Sequence, residues 1–387
     1  DEAICLRTPV ATVTVTNRNL FVFVLAAALM GLNLNGHAEE LVNGRKSLVL
    51  ENQAARLVVD IGGGSIGDFH FKGSELNPLH WATPASGETS SHGFGHFLCL
   101  DRWGPPSEAE GAKGMPYHGE AANVEWKIVR NAAEQNGVVE AQMAATLPKA
   151  GFSVRRIIRM SAKEAVFTVR EEITNDNALG RIYNAVQHPT IGPPFLDEST
   201  VVDCNGRKGF AQGASLPNPE EPAFYWPRAL NRDGETVNMR RMTTDPNPNV
   251  VSYSIDEAYG WVTAATPAKG LLIGYLWKTT DYSWVSLWRD VRDGRPAARG
   301  LEFGTTGLHQ PFPTLVKKGR IWDHQLFEYL DAGETTARSY TAFLFKIPSD
   351  FAGVESIKFD KGRLILRERD GAKPRELSIE TDGLIPN

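Results

Sequence analysis

Cysteine is scarce in this chain: three residues in 387, at Cys5, Cys99 and Cys204. No CxxC pair occurs, so a structural zinc site has no support. Long basic runs are also missing, and the net charge is −5, which argues against nucleic acid as a partner. The HExxH signature of a zinc protease is absent, and the GxSxG match at Gly63-Gly-Ser-Ile-Gly67 leads into an alternating strand rather than the helix that a hydrolase elbow needs. No repeat of solenoid length is present, and little of the chain has helical periodicity; the stretch 109–113 is too short to count. What the chain has instead is 36 glycines and 23 prolines, spaced as turns between short apolar runs, with 42% apolar residues to build a core.

The N-terminal region stands apart. Arg7 and Arg18 precede the apolar run Leu20 to Leu32, and Asn35-Gly-His-Ala38 follows it. A basic region, an apolar stretch and a small-residue exit form the pattern of a secretory signal with extra upstream residues, ending at Ala38. The run is shorter than the ~20 residues a spanning helix needs. The expectation is therefore an exported protein, periplasmic or extracellular, with no membrane contact after cleavage and one domain over 39–387. Cys5 would be lost with the signal. An oxidising compartment would permit a bridge between Cys99 and Cys204, subject to geometry.

Beyond residue 39 the pattern is strands and turns. Runs at 47–51 and 55–60 are apolar and β-branched, and 68–72 alternates. Between them Gly62-Gly-Gly-Ser-Ile-Gly67 matches GxGxxG, but it enters an alternating strand rather than a helix, so it reads as a hairpin turn and no nucleotide cofactor is expected. Further strands are expected at 124–130, 137–144, 152–160, 165–174 and 182–188. After a loop-like stretch over 203–250, they return at 250–255, 260–265, 271–277 and 284–288, through Leu301, and at 325–330 and 335–346. A closing hairpin is expected at 354–368. The fold class is all-β, a large antiparallel sandwich of two sheets. The segment 74–123 is too long for a simple connection and holds Trp81, His92, His96, Asp101, Arg102, Trp103 and His118, which marks it as pocket-forming.

Several polar residues lie beside turn signals. Tyr117-His-Gly-Glu-Ala121 places His118 at a loop end before Trp126. Asn184-Ala-Val-Gln-His188 ends a strand before Pro189. Gly300-Leu-Glu-Phe-Gly304 carries Glu302, with Thr305-Thr-Gly-Leu-His-Gln310 and Pro311-Phe-Pro313 following. Trp277, Trp284 and Trp288 precede it closely. Aromatic faces beside carboxylates and imidazoles suit a sugar, whose C–H faces stack on rings while its hydroxyls take directional hydrogen bonds. Each residue also has a plainer reading. His188 could be a hydrogen-bonded strand end, His118 a turn cap, and Arg102 a structural partner of Asp101 or Glu108. Glu302 alternates away from Leu301 and Phe303, and could be a solvated outer-face carboxylate. His92 and His96 have helical ligand spacing, but Gly93 and Gly95 do not build a helix, so no metal is expected.

The ordered set resembles the aldose 1-epimerase, or galactose mutarotase-like, superfamily. The shared order is Arg102, His118-Gly119 before Trp126, Asn184 with His188, Glu302 before Gln310-Pro-Phe-Pro313, and Asp331-Ala-Gly-Glu334 before Thr341-Ala-Phe-Leu-Phe-Lys346. It spans residues 45–347 in short pieces. The resemblance implies a galactose mutarotase-like super-sandwich and a carbohydrate substrate, mono- or oligosaccharide. It implies Glu302 as general base on the anomeric hydroxyl and His188 as general acid at the ring oxygen, on opposite sides of the ring. His118 and Arg102 would bind hydroxyls, with Trp103, His96, Asn184, Trp288 and Gln310 as further binding residues. The family's additional aspartate has no clear counterpart here, with Asp281 and Asp290 as the candidates. Pro189 directly after His188, and the Pro-rich setting of Arg102, depart from the family pattern. A non-catalytic carbohydrate-binding protein or a polysaccharide-active enzyme on the same scaffold stays open, as do the sugar and the oligomeric state.

Overall fold

The computed structural model describes residues 40–80, 93–216, 221–369 and 374–385. The signal-segment reading, Trp81 and His92 lie outside these residues.

Alternating apolar runs pair antiparallel into two large sheets. The larger has 12 strands. It opens with Glu40–Val42, Arg45–Glu51, Ala55–Asp60 and Ile66–Phe71 as a meander. Five strands then build the functional face: β1 (His96–Asp101), β2 (Arg181–Ile191), β3 (Val250–Ser254), β4 (Trp284–Arg292) and β5 (Arg295–Gly304). Their spatial order is β1-β2-β5-β4-β3, followed by Lys208–Ala211 and Phe224–Tyr225. The second sheet has 8 strands, from Val201–Cys204 at one edge to Lys127–Gln135 at the other.

Strand periodicity decides what each residue faces. On β1, Leu98 and Leu100 point into the core between the sheets, while Phe97 and Cys99 point outward. On β5, Leu301 and Phe303 enter the core and Glu302 faces the other way. The core holds a buried polar network as well. The Arg156 Nε–H donates to Glu171 Oε1 at 2.9 Å, and Gln187 Nε2–H donates to Glu171 Oε2 at 2.7 Å. Gln187 also donates to the Tyr282 hydroxyl at 3.0 Å. Its Oε1 then accepts from His96 Nε2 at 3.0 Å. The network joins Arg156 and Glu171 on the smaller sheet to His96 and Gln187 on the larger.

Differences from the sequence expectations have local causes. Within 74–123, β1 is a strand that its flanking glycines and polar residues conceal. The 203–250 stretch contains short strands at Lys208–Ala211, Phe224–Tyr225, Arg228–Leu230 and Thr236–Asn238. A helix at Phe312–Lys318, entered through Pro311 and Pro313, packs Phe312 and Leu315 beside Trp284 and Trp322. The GxGxxG segment is a hairpin turn, with Gly64 at φ 64° and Trp126 packed where a Cβ would sit. The closing hairpin gains a third strand, Glu376–Glu380, and buries Leu364 and Leu366 against Phe343, Phe345 and Leu272. Cys99 and Cys204 are both buried and both free thiols.

Candidate functional site

Register brings the two predicted catalytic residues together. β2 and β5 pair Gln187 with Phe303 and Thr190 with Gly300, which sets His188 directly across from Glu302. The row continues outward on the same face. Phe97 pairs with His188 on one side, and Ser286 with Glu302 and Ser252 with Ser286 on the other. Cross-strand neighbours of this kind have side chains in contact. His188 Nε2 lies 3.4 Å from Glu302 Oε1. Their adjacency corrects the expectation of an acid and a base on opposite sides of a ring, because directly paired residues cannot flank a bound molecule.

Each partner is held from a second direction. Trp103 Nε1–H donates to Glu302 Oε2 at 2.7 Å. His188 Nδ1 meets Thr190 Oγ1 at 3.1 Å, and its ring stacks on Phe97 at 4.3 Å. Glu302 is 2% exposed and His188 7%. Burial pushes the Glu302 carboxyl up to about 8, the Trp103 N–H offsetting part of the rise. The same burial pushes His188 down to about 3, with a smaller contribution from His309. Near neutral pH the site therefore holds a carboxylic acid beside a neutral imidazole.

These residues form the floor of a cavity of about 960 Å³. Above them sits His118, at a left-handed φ of 65° in the Tyr117-His-Gly turn. Gly119 follows at φ 78°, where a Cβ would strike the Leu100 carbonyl, so glycine is required. The His118 backbone N–H donates to the Gly104 carbonyl at 3.0 Å, and the Gly104 N–H donates to His118 Nδ1 at 3.1 Å. That second bond leaves the neutral ring's proton on Nε2. Burial, and then His188 and His309, lower the His118 pKa to about 2.

His309 is the main residue that sequence reasoning passed over. Its ring packs edge-on to Trp103 at 4.7 Å and lies 5.4 Å from His118. Its Nε2 is 3.0 Å from the Tyr117 hydroxyl, and its backbone N–H donates to Gln212 Oε1 at 2.9 Å. Burial lowers its pKa to about 4. His309 follows Glu302 by seven residues, but nothing local distinguishes it from a loop histidine. Phe97, Tyr117, Thr190 and Gln212 also line the cavity without having been singled out for it.

Of the predicted binding residues, His118, Trp103, Trp288 and Gln310 line the cavity with Glu302 and His188. Three do not. His96 occupies the core-facing parity of β1, hydrogen-bonded to Gln187, and burial lowers its pKa to about 3. Arg102 is 3% exposed and locked to Asp101 at 2.6 Å and Glu110 at 2.8 Å, with its guanidinium over Phe312. Asn184 shares the outward face of β2 but is covered, its side chain donating to the Leu326 carbonyl and accepting from Thr305 Oγ1. Of the two aspartates, Asp290 lines the outer end of the cavity, whereas Asp281 accepts from the Ser339 backbone N–H away from it.

Among solved structures, the chain is similar to a galactose mutarotase related enzyme from Lactobacillus acidophilus, at 11% identity over 78% of this chain and 98% of that one, with a TM-score of 0.54. A galactose mutarotase-like protein from Clostridium acetobutylicum matches at 11% identity over 80% and 98% of the two chains, with a TM-score of 0.56. Another, from Lactobacillus casei, matches at 15% identity over 77% and 99%, with a TM-score of 0.50. No family model and no curated protein sequence matches the chain. The likeness establishes the fold, a galactose mutarotase-like super-sandwich.

Proposed function

We propose that the chain acts on a carbohydrate as an aldose 1-epimerase-like enzyme, opening and reclosing the ring at the anomeric carbon. The observation that carries this is the Glu302–His188 pair at the base of the cavity, buried, held by Trp103 and Thr190, and in opposite protonation capacities. The anomeric oxygen and the ring oxygen are bonded to the same carbon, so one compact acid–base pair can serve both. With Nδ1–H donating to Thr190, His188 Nε2 has a free lone pair beside Glu302. It takes the proton of the anomeric hydroxyl as the Glu302 carboxylic acid protonates the ring oxygen. The C1–O5 bond breaks to give the open aldehyde, and the pair becomes a carboxylate and an imidazolium in contact. After rotation about C1–C2 the ring oxygen attacks the other face of the carbonyl. Its proton returns to Glu302, and His188 reprotonates the new anomeric oxygen. The resemblance gives the two residues the reverse roles; burial of both groups favours the assignment made here. His118 Nε2–H and the His309–Tyr117 pair supply hydrogen bonds to the remaining oxygens.

A glycosidase is less well matched, since it needs two carboxyls across one bond. The other cavity carboxylate, Asp290, stands opposite Ala298, four residues along β5 from Glu302. The test is NMR anomer exchange on freshly dissolved aldoses. Acceleration by the protein supports the enzyme; saturable binding without acceleration sinks it in favour of a carbohydrate-binding protein.

The pH profile follows from the ionisations. The active form has Glu302 protonated and His188 neutral, so the rate is expected to be flat between about 3 and about 8. Above that it falls about tenfold per pH unit as Glu302 ionises. A rate that instead rises through pH 8 would mean that the form with ionised Glu302 is the active one, and Glu302 would not be the proton donor.

Gly300 provides a separate check. A Cβ there would come within 2.8 Å of Glu302 Oε1 and 3.1 Å of Trp288 Cβ. Glu302 is anchored by Trp103 and cannot yield without losing that bond. Gly300→Ala is expected to lower the exchange rate at least about tenfold, as small misplacements of reacting groups do, with near-native circular dichroism.

A further inference from the structure

The cavity is larger than one sugar ring requires: about 960 Å³ is at the upper end for ligand sites. The strands show where the excess lies. Along β4, Ser286, Trp288, Asp290 and Arg292 alternate onto the cavity face and pass from buried, through half-buried, to exposed. Opposite them on β5 stand Glu302, Gly300 and Ala298, paired with Ser286, Trp288 and Asp290. Gly300 is covered by the Glu302 carboxyl and Trp288, and beyond them Ala297, Ala298, Asp290 and Arg292 line the outer part of the cavity as a trough beside Trp288. At a rise of about 3.4 Å per residue, the trough runs about 14 Å from the level of Glu302 to that of Ala298. At its outer end Arg292 Nε–H donates to Asp290 Oδ2 at 2.9 Å, and Arg232 and Asn249 complete the rim.

We propose that this trough is a row of outer subsites, so that the protein takes the reducing end of an oligosaccharide rather than a free monosaccharide. The inference rests on the carbohydrate reading above. Chain direction follows from the chemistry, because only the reducing-end residue has a free anomeric hydroxyl. That residue sits over Glu302 and His188. The next ring stacks on Trp288, whose indole lies 6.2 Å from the His188 ring. The non-reducing side leads out past Asp290 and Arg292, whose carboxylate and guanidinium match sugar hydroxyls as acceptor and donor.

The test compares reducing-end anomer exchange for glucose, cellotriose and maltotriose, and for galactose and β-1,4-galactotriose, by NMR with the full-length protein. The expected result is a kcat/KM at least tenfold higher for one trisaccharide than for its own monosaccharide. In Ala298→Phe, which fills the trough, and in Arg292→Ala, an exposed change that leaves the core intact, that ratio is expected to collapse towards one. A ratio of one in the unaltered protein overturns the inference while leaving the acid–base reading standing, as does a high ratio kept by both variants. If no sugar of any length is bound or turned over, the proposed function falls and this inference with it.

Discussion

Glu302→Gln is expected to slow anomer exchange by about 10²- to 10⁴-fold, the usual contribution of one positioned proton donor, while making the folded chain more stable at alkaline pH. The two effects share a cause. The carboxyl is 2% exposed, and its pKa in the folded chain is about 8, above the ordinary 4.5. Between those values the folded state holds a proton that the unfolded state has lost. Stability from this group is thus full below about 4.5 and declines as pH rises through 8, by at most about 1.4 kcal/mol per pH unit. The amide does not titrate, and its oxygen still accepts the Trp103 N–H. The difference in unfolding free energy, variant minus unaltered protein, should therefore grow in the variant's favour from pH 5 to pH 8. Denaturant titrations at several pH values measure it. A difference that stays flat would mean that Glu302 is ionised in the folded protein, and the proton-donor role would go with it.

The second large effect is expected at Glu171, away from the cavity. Glu171 is 1% exposed and Arg156 2%, and the guanidinium also stacks over Trp126 at 4.3 Å. Glu171→Ala leaves Arg156 buried without its counter-charge and Gln187 without one of its acceptors. A loss of about 3–5 kcal/mol is expected, as for other broken buried pairs. The double change Arg156→Met with Glu171→Leu removes both charges and should cost clearly less than the single change. Denaturation midpoints of the two variants decide this. If the double variant is the less stable, the network contributes more than charge compensation. Gln187 directly precedes His188 on β2, so loosening this network should also disturb the register that sets His188 against Glu302.

Much of the fold could be read along the chain, because a strand's period of two is a local property. The runs at 55–60 and 152–160 coincide with observed strands to within a residue at each end, and the glycine-rich turn before Ile66 is where alternation placed it. Alternation also set Glu302 against Leu301 and Phe303. It did not say whether the face so chosen met solvent or a cavity. His96 shows the complementary limit. It lies one residue from Phe97, which stacks on His188, yet its parity turns it into the core. Arg102 was legible as a charged residue in the right order with Asp101 as a candidate partner, but not as one also engaged by Glu110 and so withdrawn from the cavity.

By itself, then, the sequence determined the all-β class, most strand positions and the pair Glu302 and His188 as residues of interest. Tertiary structure alone decided that these two are cross-strand neighbours, that Trp103 and Thr190 hold them, that His309 joins them, and that a trough extends past Trp288. Strand period follows from backbone geometry between adjacent residues. Register between β2 and β5 joins positions more than a hundred residues apart. It is set by which faces of two sheets can be buried together, and no local pattern records that.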